Sequence, residues 1–294
     1  MHSTTSKDSQ LVDLLPGFNS CFEELEDIQL HYVTGGQGAP LLLIPGWPQT
    51  WWSFHKIMPA LAEKYRVIAV DIRGMGSSDK PDEGYSKKNM AADLLSLVKK
   101  LGYEKISIAG HDIGAAVAIS FAGNFPKNTE KLIVLDTPHP DENMYKLPML
   151  PVGLPVYPWW VAFNQVKELP EKLIEGRFYM IQDWIFDQLL KDRSSISDFD
   201  RKVYADAYHD RASVRASNAW YQSFAEDIQD IRTMDIIEAP TLGIAGSDSY
   251  EMLKLNLSPY VKNLDMEEID KAGHFLMEER PEETVQSILK FMNK

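Results

Sequence analysis

The chain carries a single cysteine, Cys21, so no internal disulfide can form and nothing in it calls for an oxidising compartment. It has no apolar run approaching the roughly 18 residues that a membrane-spanning helix needs. Residues 1–10 are polar, without a basic stretch leading into an apolar one, which argues against a secretion signal. Positive charge is short: 30 Lys and Arg stand against 43 Asp and Glu, for a net charge of −13. That balance disfavours nucleic acid and anionic membranes as partners. There is no internal repeat and no low-complexity tract. The expectation is a cytoplasmic protein, with oligomeric state open and a homodimer among the candidates. The 294 residues suit one large domain or a core with an inserted lobe. A chain of that size can bury about three quarters of its unfolded surface.

What the chain does have is organised around Lys105-Ile-Ser-Ile-Ala-Gly-His-Asp-Ile-Gly-Ala-Ala. This reads as an apolar strand, a sharp turn and the start of a helix. Asp112 falls at the apex, flanked by Gly110 and Gly114 where such a turn leaves no room for a side chain. A nucleophile elbow of this shape usually carries Ser. A Ser oxygen attacking a saturated carbon would leave a stable ether, whereas a carboxylate leaves an ester that water can cleave. An Asp elbow therefore points to displacement at an sp3 carbon followed by ester hydrolysis. The plainer alternative is that Asp112 only caps the following helix.

Short, wholly apolar runs occur at 41–44, 67–70, 106–109, 132–135 and 241–245, as strands buried on both faces require. Residues 21–34 and 39–44 flank the turn Gly35-Gly-Gln-Gly38, and helix-period segments lie at about 52–64, 86–101 and 113–124. The alternation predicts an α/β fold with a mostly parallel sheet flanked by helices. In such sheets the site lies past the carboxyl ends of the strands, where Asp112 falls. Pro45-Gly-Trp-Pro-Gln-Thr50 follows one strand and can aim a backbone N–H at the site. Asp71-Ile-Arg-Gly-Met-Gly-Ser-Ser78 follows another; it lacks the third glycine of a dinucleotide fingerprint, and Pro81 interrupts the would-be helix.

From Pro138 the sheet-like runs stop. Prolines crowd 138–158, amphipathic segments follow at about 170–191, 198–209 and 213–230, and the sheet pattern resumes at Pro240. The expected organisation is a core of 1–137 plus 233–294 with a helical cap at 138–232. All seven tryptophans lie in this lobe or in the loop at 47–52. Most should be ordinary packing, but some should line an apolar pocket where the two regions face each other across Asp112.

Of seven histidines, only His274 sits in a Gly-His turn after the final strand, at about 264–269. Nucleophile, acid, then His is the chain order of this architecture. His111, beside Asp112, is expected to point away and to be structural. The base needs an acid to fix its tautomer. Asp136 and Asp248 both follow apolar strands at the correct edge, and spacing alone leaves both open.

These pieces together resemble the epoxide hydrolase and haloalkane (haloacetate) dehalogenase group of α/β-hydrolases. The matching motifs are Pro45-Gly-Trp-Pro48, Asp71-Ile-Arg-Gly-Met-Gly-Ser77, Gly110-His-Asp-Ile-Gly114, Asn218-Ala-Trp-Tyr221 and Gly273-His-Phe275. The resemblance implies an α/β-hydrolase fold with Asp112 as nucleophile, His274 as water-activating base and Asp136 as relay acid. It also implies an oxyanion hole from the Trp47 and Ile113 N–H groups, and Tyr221 as the proton donor that opens an epoxide. A second donor is usual in the group; its place falls near Trp184, with Tyr179 as a substitute. Trp160, Tyr179 and Trp184 are the expected substrate-pocket residues. No metal or organic cofactor is implied, and the partners are a small apolar substrate and water. The sequence departs from the pattern in three places. Pro45 replaces the usual His before the first glycine, Ile113-Gly-Ala-Ala116 replaces arginines that would hold a carboxylate substrate, and Trp159-Trp160 replaces a His-Trp halide pair. The expected activity is hydrolysis of an epoxide to a vicinal diol. A dehalogenase using the same Asp is the second reading, and a non-catalytic ligand-binding protein the third.

Overall fold

The computed structural model describes residues 7–146 and 158–294. Eight strands form one sheet: β1 (Phe18–Glu24), β2 (Gln29–Gly35), β3 (Ala39–Ile44), β4 (Tyr65–Val70), β5 (Ile106–His111), β6 (Thr129–Leu135), β7 (Thr241–Gly246) and β8 (Leu264–Ile269), in the order β1-β2-β4-β3-β5-β6-β7-β8. β1 and β2 pair antiparallel, β2 joins β4 antiparallel, and the other pairings are parallel. Every residue of β5 and β7 is buried, in keeping with their apolar composition. The stretch 21–34 is not continuous. A turn closed by the Leu25 N–H on the Ile28 carbonyl at 2.8 Å makes it part of the β1–β2 hairpin.

Helices α1 (Lys7–Val12), α2 (Met58–Ala62), α3 (Lys87–Lys100) and α4 (Ile113–Asn124) lie in the first half of the chain. The expected helix at 52–64 is shorter, with a 3-10 turn at Trp51–Phe54 ahead of α2. The small residues of α4 allow close approach, and it packs on β3, β5, β6 and α3. Between β6 and β7 come α5 (Trp159–Gln165), α6 (Leu169–Ile174), α7 (Phe178–Leu189), α8 (Asp198–Ala207), α9 (Arg211–Gln222) and α10 (Phe224–Thr233), with no strand among the described residues. Residues 147–157 of the proline-rich stretch lie outside the described set. The expected segment 170–191 is divided at Gly176, whose φ of +70° suits glycine. The segment 213–230 is divided at Ser223. Helices α11 (Tyr250–Leu257), α12 (Leu276–Glu279) and α13 (Pro281–Met292) complete the chain.

Hydrogen bonds tie the helices after β6 to the loops after β3 and β4. Trp52 Nε1 donates to Asp200 at 2.8 Å, Tyr208 Oη to the Gln49 carbonyl at 2.6 Å, and Trp220 Nε1 to the Arg73 carbonyl at 2.9 Å. The loops at the carboxyl ends of β3 and β4 are thus covered by α8 and α9. No helix among the described residues is long and apolar enough to cross a membrane.

Candidate active site

Asp112 joins β5 to α4 with φ 52° and ψ −122°, a conformation that a side chain-bearing residue adopts only when its surroundings hold it there. The flanking glycines explain how. A Cβ on Gly110 would stand 2.1 Å from the Gly114 carbonyl oxygen, and one on Gly114 would stand 2.2 Å from the Ile44 carbonyl oxygen. The Asp112 side chain makes no capping bond to α4. Instead Oδ1 accepts the Trp47 N–H at 2.9 Å, across a cis Trp47–Pro48 turn.

His274 lies in the turn after β8, its N–H bonded to the Leu189 carbonyl at the end of α7 at 3.1 Å. Its Nε2 is 3.6 Å from Asp112 Oδ2 and its Nδ1 is 2.7 Å from Asp136 Oδ2. Asp136 follows β6 at φ 64°, and its Oδ1 accepts the Ser249 hydroxyl and, at 3.3 Å, the Gly246 N–H. Of the two carboxylates left open by spacing, Asp136 is therefore the one on His274. Asp248 is largely exposed and paired with Lys191. Burial alone would lower the His274 pKa, but hydrogen bonds and charge from Asp112 and Asp136 reverse this and raise it to about 10. Burial pushes the Asp112 carboxyl up, while His274 and the Ile113 N–H outweigh it and hold it below the usual range. His111 is fully buried and its Nε2–H donates to the His274 carbonyl at 2.8 Å; burial, reinforced by His274, lowers its pKa to about 4. It supports the backbone of His274 rather than entering the site.

These groups open on a cavity of about 410 Å³. Trp47, Asp112, Ile113, Asp136, Trp160, Tyr221 and His274 all line it. Its walls are mostly apolar, with Ile185, Leu189 and Phe224 among them, and no Lys or Arg occurs among the described lining residues. The Tyr221 hydroxyl and the Trp47 indole N–H are both buried without a hydrogen-bond partner among the described residues. The two rings meet edge to face with centroids 5.9 Å apart. Burial, with Asp112 nearby, raises the Tyr221 pKa well above that of a free phenol.

Two expected pocket residues do not reach this cavity. Tyr179 is 52% exposed and lines a separate surface groove between α7 and α8. Trp184 is 39% exposed and packs against Trp159 and Trp160 from outside, with centroids 5.3 and 6.5 Å away. The reason is helical phase: α7 turns Phe178, Ile181, Ile185 and Phe186 inward, so positions 179 and 184 face out. Neither side chain is therefore among the described residues that line the cavity with Asp112. Tyr208 is nearby but its hydroxyl is committed to the Gln49 carbonyl. Ser249 and His139 were missed by sequence reasoning, and both border the site. Nothing in Gly246-Ser-Asp-Ser249 singles out the last serine, because its role depends on a partner 113 residues away.

Among the described residues, Asp8, His31 and Asp71 bring three potential metal-ligating atoms within 4.8 Å of one another. These atoms are already committed. His31 bonds Asp71 at 2.8 Å and Ser20 at 2.9 Å, Asp8 accepts the Trp51 indole N–H and the Ser77 hydroxyl, and Asp71 accepts the Trp51 N–H. The cluster knits α1 to the sheet edge rather than offering an open coordination sphere.

With this geometry in view, the chain belongs to the alpha/beta hydrolase fold family, whose model matches residues 39–281. It is a hydrolase of that family by its relatives. It is similar to a soluble epoxide hydrolase of Corynebacterium sp. (strain C12), 31% identical over 274 residues that cover 90% of this chain and 93% of that protein. It is also similar to a fluoroacetate dehalogenase of Burkholderia sp, 26% identical over 297 residues and covering 95% of each. Among solved structures, Cfl2 from Burkholderia cenocepacia superimposes with a TM-score of 0.85 at 30% identity, over 94% of this chain and 96% of that one.

Proposed function

We propose that the protein hydrolyses an epoxide on a small, mainly apolar molecule to a vicinal diol, with no metal or organic cofactor and with α5–α10 acting as a cap over the reacting groups. The observation that carries this reading is the chain of contacts from Asp136 through His274 to Asp112, with a phenol, Tyr221, that has no hydrogen-bond partner among the described residues on the wall of the same cavity. Oδ1 of Asp112 is engaged by the Trp47 N–H, so Oδ2 is the oxygen that attacks a ring carbon. As the carbon–oxygen bond of the ring breaks, Tyr221 gives its proton to the departing oxygen. His274 then takes a proton from water, which attacks the carbonyl carbon of the Asp112 ester. The Trp47 and Ile113 N–H groups hold the resulting oxyanion, an effect of about 2.7–4 kcal/mol per donor in acyl chemistry. It collapses by breaking the bond between the carbonyl carbon and the substrate oxygen, which takes the proton from His274 and leaves as the diol. The restored Asp112 carboxyl returns its own proton to His274. The two steps are coupled by charge. Asp112 helps keep His274 protonated while it is ionised, and forming the ester removes that charge. His274 therefore loses its proton more readily, and that proton restores the phenol that Tyr221 gave up in ring opening, leaving a neutral imidazole free to take a proton from water. The lack of Lys or Arg among the described residues of the cavity wall favours a substrate without a carboxylate. The similarity to a soluble epoxide hydrolase points the same way.

The test is to incubate His274→Gln protein with styrene oxide and digest it for mass spectrometry. A covalent adduct on the Asp112 peptide is expected, and an unmodified peptide in protein that has bound the probe would refute the reading. The second reading is halide displacement by the same Asp. It is favoured by the Trp47 indole N–H, which has no partner among the described residues, and by the similarity to a fluoroacetate dehalogenase. Halide release from haloalkanes that survives Tyr221→Phe would select it.

A further inference from the structure

Outside the Asp112 cluster the most unusual feature is an ion pair with no solvent exposure. Lys87, the first residue of α3, and Asp227, in the first turn of α10, are both fully buried with Nζ 2.9 Å from Oδ2. A buried pair is poor evidence for stability, because desolvation offsets most of the attraction, so its purpose has to be sought in what it holds. The Lys87 ammonium has three N–H donors, and all three are used at one corner. They reach Asp227 Oδ2, the Ser223 hydroxyl oxygen at 3.0 Å and the Trp220 carbonyl. The Lys87 backbone N–H donates to Asp227 Oδ1 at 2.7 Å. The ammonium also stands 4.7 Å from the centre of the Phe224 ring.

These partners bracket Tyr221 and Phe224, the two residues that the α9–α10 corner contributes to the cavity wall. Trp220 is held from its other end too, by its indole N–H on the Arg73 carbonyl. The Tyr221 hydroxyl has no hydrogen bond of its own among the described residues, so its place in the cavity it shares with Asp112 depends on packing and on where its backbone is fixed. The bond from Lys87 to the Trp220 carbonyl fixes that backbone to the core one residue away from Tyr221. We infer that Lys87 is a positioning residue for the first chemical step: its ammonium locks the α9–α10 corner onto α3 so that the Tyr221 phenol stands within reach of the departing oxygen. The inference rests on the function proposed above. Asp136, His274, Ser249 and Gly246 form a separate hydrogen-bonded group at the end of β7 and on the loops after β6, β7 and β8, and Lys87 is not a member of it. Lys87 should thus govern formation of the ester and leave its hydrolysis alone, a split that general loosening of the fold would not produce.

The experiment measures ester formation and ester hydrolysis separately, by rapid-mixing kinetics with styrene oxide. Lys87→Met is combined with Asp227→Asn, which leaves no unpaired buried charge and keeps an acceptor for the backbone N–H of residue 87. The expected result is roughly ten- to a hundredfold slower ester formation, in line with the cost of a misplacement of about 1 Å, with hydrolysis of the ester unchanged. Adding Tyr221→Phe to the pair should cause no further loss. Ester formation at the wild-type rate, equal slowing of both steps, or a Tyr221→Phe effect that multiplies undiminished would each overturn the inference. Should the pair fail to fold, Ser223→Ala removes one ligand of the ammonium; a several-fold loss confined to ester formation is expected, and no loss overturns it. Tyr221→Phe alone is the control for the underlying reading. If that variant is slow and the Lys87 variants are not, only the inference falls; if it forms ester at the wild-type rate, the proton-donor role falls and this inference with it.

Discussion

Asp112 is held in a backbone conformation that costs free energy, and its two oxygens are treated differently: one accepts the Trp47 N–H at 2.9 Å, the other faces His274 at 3.6 Å. On the far side of the imidazole, Asp136 fixes which ring nitrogen carries the proton, because a carboxylate can only accept at Nδ1. An amide there could present its N–H₂ instead and stabilise the wrong tautomer. Asp136→Asn should therefore slow ester hydrolysis by on the order of 10³-fold or more while leaving ester formation within a few fold. Asp248→Asn should leave both steps unchanged, since that side chain is exposed and paired with Lys191. Rapid-quench measurement of each step on both variants checks this, and the reverse ranking would move the relay to Asp248.

The elbow works as an element because three backbone segments meet where β5 becomes α4. Gly114 touches the end of β3 and Gly110 touches the first turn of α4, each closer than any Cβ permits. Gly114→Ala should cost about 1–3 kcal/mol by overpacking against backbone that has little freedom to move. Urea unfolding of the variant checks this, with an unchanged midpoint as the contrary result. Helix α7 illustrates the opposite situation. Its run Phe178-Tyr-Met-Ile-Gln-Asp-Trp-Ile-Phe186 is apolar on nearly every side, so composition does not reveal which stripe faces inward. Contact with His274 through the Leu189 carbonyl, and with the cavity through Ile185 and Leu189, sets the phase.

At the scale of the whole molecule, the core and the helices after β6 are joined through buried polar groups. Glu278 on α12 is one: it pairs with Lys56 at 3.0 Å and accepts the Tyr204 hydroxyl of α8 and, at 3.3 Å, the Gln49 amide. Burial lifts its carboxyl from 4.5 to about 7, against the opposing pull of Lys56 and Tyr204. The folded state therefore keeps a proton that the unfolded chain releases between those values. The associated stability is present below pH 4.5 and is lost as pH rises through about 7. Glu278→Gln has no such titration. Its melting temperature relative to wild type should rise between about pH 5 and 8, as read by calorimetry across buffers, whereas parallel profiles would exclude the assignment.

The sequence alone determined the parallel sheet, the Asp at the strand-to-helix turn and the His after the final strand. Each of these is written in local order: buried strands are apolar without alternation, and a sharp elbow needs Gly on both sides. The helical segment between β6 and β7 was legible for the same reason, although its breaks at Gly176 and Ser223 were not. What only the tertiary structure decided were pairings between residues far apart in the chain. Spacing alone leaves Asp136 and Asp248 both open to His274; the resemblance favours Asp136, and the approach of β6, β7 and β8 is what brings it to 2.7 Å. Tyr179 and Trp184 have the right chemistry for a pocket, but the rotation of one helix turns them outward. Lys87 reads as an ordinary charged residue at a helix start until the α9–α10 corner closes over it. Local residue order encodes backbone shape, whereas the partner of a buried charge is chosen by packing across the whole chain.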